Sequence, residues 1–173
     1  MAIQGLSYSK TSWAFEERPV SSAKLNQWDD RIEAALEIAF FLLNQAWGGG
    51  SGVLRGIAAG ELAVAATSPV GLRVAVAPGY AFIAGHPFRM SAATETAEIV
   101  PPVTDGRIDL VQANLATWSI SVKTGVEAAS PSAPSPDSGA IALAELVLRP
   151  GMTSIEDADD AVNGYVVDVR AFV

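Results

Sequence analysis

Residues 25–43, LNQWDDRIEAALEIAFFLL, and the glycine run that follows them, Gly48-Gly49-Gly50-Ser51-Gly52, separate two kinds of periodicity. Leu25, Trp28, Ile32, Ala35, Ala39 and Leu42 recur at 3-4-3-4-3 spacing. That spacing places them on one stripe of a helix, at both core positions of a heptad. Leu36, Phe40, Phe41 and Leu43 widen the apolar side toward the C-terminal end, while Asp29, Asp30, Arg31, Glu33 and Glu37 mark the polar side. Ser21 or Ser22 supplies the cap, because a hydroxyl accepts a hydrogen bond from an orphan amide of the first turn. Pro19 keeps the helix from extending backwards. The pattern predicts a helix over 21–47, about 35–40 Å long at 1.5 Å per residue. Leu25, Trp28, Ile32, Ala35, Leu36, Ala39 and Leu42 are its candidate oligomerisation residues. The alternative is a helix packed against its own domain, which a run this short does not exclude.

The glycines at 48–52 end the helix and are expected to act as a hinge, since glycine continues a helix poorly and tolerates left-handed backbone. Upstream, residues 1–20 are polar and aperiodic. Such an arm has too little apolar surface to fold alone. It is expected to dock on another chain, with Trp13 and Phe15 as anchors, because aromatic residues dominate interface hot spots. The alternative is that it folds back on the rest of its own chain.

Beyond the hinge, residues 53–173 read as a β-module. Leu62–Ala66, Leu72–Ala77 and Tyr80–Ala84 are short β runs, separated by Ser68-Pro69, Pro78-Gly79 and Gly85. Arg107–Asn114 follows the turn signal Thr104-Asp105-Gly106. Trp118, Ile120 and Val122 alternate with Ser119, Ser121 and Lys123, as in a half-buried strand. Residues 130–139, SPSAPSPDSG, are too rich in proline for a strand and read as an exposed loop. Ile141–Leu148 is apolar enough to be buried on both faces. Tyr165–Val173 alternates again. About seven to eight short strands at this density predict a mainly β fold, a β-sandwich or small barrel, behind the arm and the one helix.

Composition narrows the function. Apolar residues are 50% of the 173, so a core can be buried, and at 8% aromatic that core is built of small side chains. A net charge of −8 disfavours nucleic acid and anionic membrane surfaces as partners. With no cysteine there is no thiolate catalysis, disulfide or cysteine-ligated zinc. Met1–Lys10 lacks the charged-then-apolar pattern of a signal peptide, and no run of about 18 apolar residues is present to insert in a membrane. A protein made in the cytoplasm is therefore expected.

Catalytic constellations are missing. His86, the one histidine, lies in Gly85-His86-Pro87-Phe88 and reads as a turn residue, because a triad needs a nucleophile and an acid beside it. Glu156, Asp157, Asp159 and Asp160 lack the spacing of a calcium loop and read as a solvated, locally capped turn. The glycine run has no lysine or strand placed for a phosphate loop. Asp105 is a turn former and Asp109 the polar partner of an alternating strand. Tyr80, Phe82, Phe88 and Trp118 could stack on a sugar, but each is more simply a core residue. No enzyme and no cofactor are expected.

Several stretches taken together resemble bacteriophage tail, baseplate and fibre proteins. They are Val20-Ser21-Ser22-Ala23-Lys24-Leu25-Asn26 before a helix with a glycine end; Val74-Ala75-Val76-Ala77-Pro78-Gly79-Tyr80-Ala81-Phe82-Ile83-Ala84-Gly85; Arg107-Ile108-Asp109-Leu110-Val111; Ile141–Leu148 after the proline loop; and Tyr165-Val166-Val167-Asp168-Val169-Arg170. The resemblance spans roughly residues 20–170 and rests on order and spacing, since each motif is short. It implies a virion structural protein, made in the host cytoplasm and often trimeric. Its N-terminal end would attach to other virion proteins. Because the β-module runs to Val173, an adaptor, decoration or short-fibre role is expected ahead of receptor recognition. A host glycan or host protein as ligand is the alternative.

Overall fold

The computed structural model describes residues 21–46, 50–56 and 60–173. In chain order these form α1 (Ser22–Ala46), β1 (Gly52–Val53), β2 (Val64–Ala66), β3 (Val74–Val76), β4 (Gly79–Ile83), β5 (His86–Met90), β6 (Thr94–Glu95), β7 (Arg107–Asn114), β8 (Ser119–Lys123), β9 (Ala140–Leu148), β10 (Ile155–Glu156) and β11 (Gly164–Asp168). The chain is mainly β with one helix among the described residues. Its eleven strands exceed the expected seven to eight. The excess is β1, β6 and β10, each two residues long and so too short to leave a period in the sequence. The strands make three sheets, ordered β1-β4-β5, β2-β3-β6 and β10-β11-β9-β7-β8. None of them closes into a barrel, which removes that alternative.

The long antiparallel pair β7–β9 is the spine of the largest sheet. Its register runs from Arg107 opposite Leu148 to Asn114 opposite Ala140, and slips once, where Val111 faces Ala144 but Gln112 faces Ala142. Leu143 is therefore a bulge residue. Before it Ile141 points inward; after it Ala144, Leu146 and Leu148 do, and Leu143 is buried as well. The second face of β9 is only half-buried at Ala142, Glu145 and Val147. The expectation of burial on both faces thus gives way to one buried face plus a bulge.

The turn signals fold as local chemistry dictates. Ala84 and Gly85, at φ 51° and 84°, form a two-residue hairpin turn closed by the pair Ile83–His86. Two positive φ values match the twist of the strands they join. His86 is accordingly the exposed first residue of β5. Pro78-Gly79 has a second purpose. A Cβ on Gly79 would lie 2.5 Å from the Leu62 amide nitrogen and 2.9 Å from its Cγ. Leu62 is fully buried at φ 57°, outside the strand expected to begin there.

Several polar residues also depart from expectation. Asp109, the polar partner in the alternation of its strand, is only 1% exposed. Its carboxylate accepts from Arg107 Nε at 2.7 Å, Arg107 Nη2 at 3.0 Å and the Gly125 amide at 2.9 Å. The cause is position: β7 is central, between β8 and β9, and Arg107 Nη2 also donates to the Val100 carbonyl at 2.7 Å. The acidic stretch is satisfied within the fold: Asp159 and Asp160 by nearby residues, Asp157 by a distant one. Asp159 accepts from Arg149 Nη2 at 2.9 and 3.0 Å and from the Ala161 amide at 2.7 Å, Asp160 caps Val162 and Asn163, and Asp157 accepts from the Ala66 amide at 2.6 Å. Among the described residues no group of three or more such side chains is arranged to hold a metal. The proline-rich loop is pinned at its end, where Asp137 accepts from Gln112 Nε2 at 2.5 Å and from Lys123 Nζ at 2.7 Å.

The hinge expected at 48–52 does not include its last residue. Gly52 pairs with Phe82 in β1, and a Cβ there would meet the Ala171 carbonyl oxygen at 2.8 Å. Val53 bonds to Ala171 and Val173, and Phe172 lies under the Arg55 guanidinium at 4.2 Å. Gly48 and Gly49 lie outside the described residues, as do Trp13, Phe15 and the rest of the arm.

Candidate assembly surface

Ser21 caps α1: its hydroxyl accepts from the Lys24 amide at 3.3 Å, and its carbonyl from Lys24 and Leu25 at 3.1 and 3.2 Å. From this start the 3.6-residue period carries the heptad stripe along one face. The large stripe residues stay half-exposed: Leu25 45%, Trp28 47%, Ile32 39%, Leu36 48% and Leu42 49%. Ala35 is partly buried and Ala39 exposed. Large apolar side chains gathered at this spacing are what marks an interaction surface; single exposed ones are ordinary.

The helix is not detached from the β-module. It approaches β5, and a groove of about 650 Å³ opens between them. Ile32, Leu36 and Phe40 form its helical wall, Pro87, Leu115 and Trp118 the opposite one, and Asp29, Glu33 and His86 its rim. The alternation Trp118, Ile120, Val122 places Trp118 at the start of a half-buried strand. It instead ends the tight turn between β7 and β8 at φ 49°, is 58% exposed, and stacks on the buried ring of Phe88 at 5.9 Å. The turn is held by the Asn114 side chain, which accepts from the Ala116 amide at 2.9 Å.

Sequence periodicity therefore found the stripe but missed the groove. Phe40 and Leu36 left a trace as the widening apolar side. Pro87, Leu115 and Trp118 left none, because only the packing of two sheets brings β5 and the β7–β8 turn together beside the helix. Of the four possible sugar-stacking residues, Phe82 and Phe88 are buried, at 3% and 1% exposed, and Tyr80 is half-buried with the Arg89 guanidinium 5.7 Å from its ring. That leaves Trp118.

A second hollow, of about 460 Å³, lies beside the Arg107–Asp109 pair, between residues 96–100 and β8. Arg107 and Asp109 there are already matched to each other, and Glu98 also lines the hollow. No helix of the described residues is long and apolar enough to cross a membrane. No family model, curated protein or solved structure matches the chain.

Proposed function

We propose that this chain is a structural component of a bacteriophage virion, of the tail or baseplate fibre, adaptor or decoration kind. It docks on other virion proteins through residues 1–20 and self-assembles through α1, as a trimer. In this role it is made in the host cytoplasm, resides in the virion and catalyses no reaction. The observation that supports the assembly reading is the heptad stripe of α1, whose large side chains keep 39–49% of their surface exposed in the single chain. A trimer gives each helix two neighbours for that surface.

The test is Ile32→Asp. Ile32 is 39% exposed, so closing over what remains contributes on the order of 1 kcal/mol per copy, from about 1.5–3 kcal/mol for complete burial. The larger effect is a carboxylate placed at the seam, which costs several kcal/mol when desolvated. Light scattering across a concentration series should report assembled wild type and monomeric variant, with unchanged β-sheet circular dichroism. A variant that assembles like wild type would sink the reading.

The alternative, a host-attachment module, draws its support from Trp118 alone, since an exposed indole can stack on a sugar. Its test is a glycan screen of the whole protein beside Trp118→Ala. No binding at high concentration removes it.

A further inference from the structure

β8 is the outer strand of the largest sheet, and its far side is bare. Ser119–Lys123 pairs with β7 in regular register, and no described residue outside β7 bonds to its backbone. Such a row of unpaired amides and carbonyls is a template for another strand, so edges are ordinarily blunted by charge, proline or a bulge. β8 has neither proline nor bulge. Its one charge, Lys123, is taken up by Asp137 at 2.7 Å. The surroundings are apolar. Trp118 just before β8, Val126 shortly after it, and Val100 and Val103 are each more than half exposed. Glu127, next to Val126, accepts from the Val103 and Thr104 amides at 3.1 Å, which brings Val126 near Val103. Clustered apolar exposure of this kind marks a surface that another molecule covers. The core face is open at the same edge. Ile120 and Val122 stand opposite the buried Ala113 and Val111, yet are only half-buried themselves. They line the hollow of about 460 Å³, together with Glu98, Ile99 and Val100.

We propose that β8 is a docking edge for an extended segment of another protein, which joins the five-stranded sheet and sets alternate side chains into this hollow. The segment carries small apolar residues at every second position and a lysine or arginine among them. A strand added here lies about 4.8 Å from β8. Its main chain bonds to the bare edge, which gives affinity, while pockets for every second side chain give selectivity. Ile99, Ile120 and Val122 call for apolar residues on that face. Glu98 calls for the cation. It is exposed and has no hydrogen bond or ion pair with any described residue, whereas Arg107 and Asp109 in the same hollow are matched to each other. A second copy's β8 would not supply that cation, because its only charge is Lys123, held by its own Asp137. Charge therefore selects a different chain. The proposal goes beyond the self-assembly reading and is independent of it, since no residue of the hollow is on α1.

The experiment titrates the full chain with an end-blocked heptapeptide that has threonine at the even positions, valine at the first, third and seventh, and lysine at the fifth. Calorimetry reads the binding, and amide hydrogen exchange followed by NMR reads its place. The expected result is binding, with exchange slowed at alternate amides of residues 119–123. Successive residues of a strand turn their backbone groups to opposite sides. N-methylation of one alternate set of peptide amides should therefore abolish binding, and methylation of the other set should not. Replacing the peptide's lysine by glutamate should weaken binding about tenfold, and Glu98→Lys in the protein should reverse that preference. Ile32→Asp acts on α1 and should leave all of this unchanged, so failure here and failure of the assembly reading are told apart. No binding at millimolar peptide overturns the proposal. So does binding that survives both methylations or is indifferent to Glu98→Lys. Slow exchange at the outward amides of β8 before peptide is added overturns it as well: if the slowing grows with protein concentration the occupant is a second copy, and if it does not the occupant is a segment of the same chain.

Discussion

Removing the Asp109 carboxylate should destabilise the β-module by about 3 kcal/mol. Asp109 is 1% exposed and accepts three hydrogen bonds, two from Arg107 and one from the Gly125 amide. Asp109→Ala leaves Arg107, itself 9% exposed, with the Val100 carbonyl and with a Glu127 oxygen 4.0 Å away. Breaking a buried pair from one side costs about 3–5 kcal/mol, because the remaining charge keeps its desolvation penalty. Glu127 offsets part of that, which puts the effect at the lower end. In a chain of this size about 3 kcal/mol lowers Tm by roughly 6–12 °C. Asp109→Asn keeps the shape and one acceptor but not the charge, and should lose about 2 kcal/mol. Arg107→Met with Asp109→Leu removes both charges and should lie within about 1 kcal/mol of wild type. Urea unfolding followed by tryptophan fluorescence gives all three values. An Asp109→Ala variant within about 0.5 kcal/mol of wild type, or a double variant as damaged as the single, would refute the buried-pair argument.

Three further outcomes rest on contacts elsewhere in the β-module. Gly79→Ala should cost about 2–4 kcal/mol, since its methyl would press on the Leu62 backbone 2.5 Å away and backbone cannot step aside; a thermal melt within about 1 kcal/mol of wild type would disprove the close approach. Asp137→Ala releases the bonds from Gln112 and Lys123 and should speed limited proteolysis within residues 130–136, with cleavage elsewhere unchanged. Acid should destabilise the fold. Amides of Thr104 and Val103 hold Glu127 below its ordinary 4.5, and Lys123 followed by Gln112 holds Asp137 below its ordinary 3.8. The Ala161 amide and Arg149 do the same for Asp159, the Asn163 and Val162 amides for Asp160, and Arg170 for Asp168. With folded values below unfolded ones, the unfolded chain binds protons first. The stabilisation is therefore complete above the ordinary values and is lost as pH falls through them and below. Tm should stay flat from about pH 8 to 6 and drop below about pH 4.5; a rise on acidification would contradict these assignments.

The sequence by itself determined the elements whose partners are their own neighbours. The helix was legible because Ser21 and the heptad spacing act within one or two turns. β7 was legible to the residue, and β9 nearly so, because a strand long enough to alternate declares its period. Gly85 marks the turn after β4 through backbone preference, but Ala84, expected at the end of that strand, is the first turn residue. What only the tertiary structure decided are features set by residues far apart in the chain. The bulge at Leu143 exists because β7 and β9 must pair over their whole length. Asp109 is polar in any sequence, and only its central strand and the Arg107 beside it turn it into an interior ion pair. Leu62 accepts a left-handed backbone because its side chain is gripped by the core, against Gly79. The groove is the same case. Half of it is written in the helix period, and the other half comes from Pro87 in β5 and from Leu115 and Trp118 on the β7–β8 turn. Periodicity reports which face of an element is apolar; which apolar faces meet, and which are left over for another chain, is fixed only when the sheets close around the core.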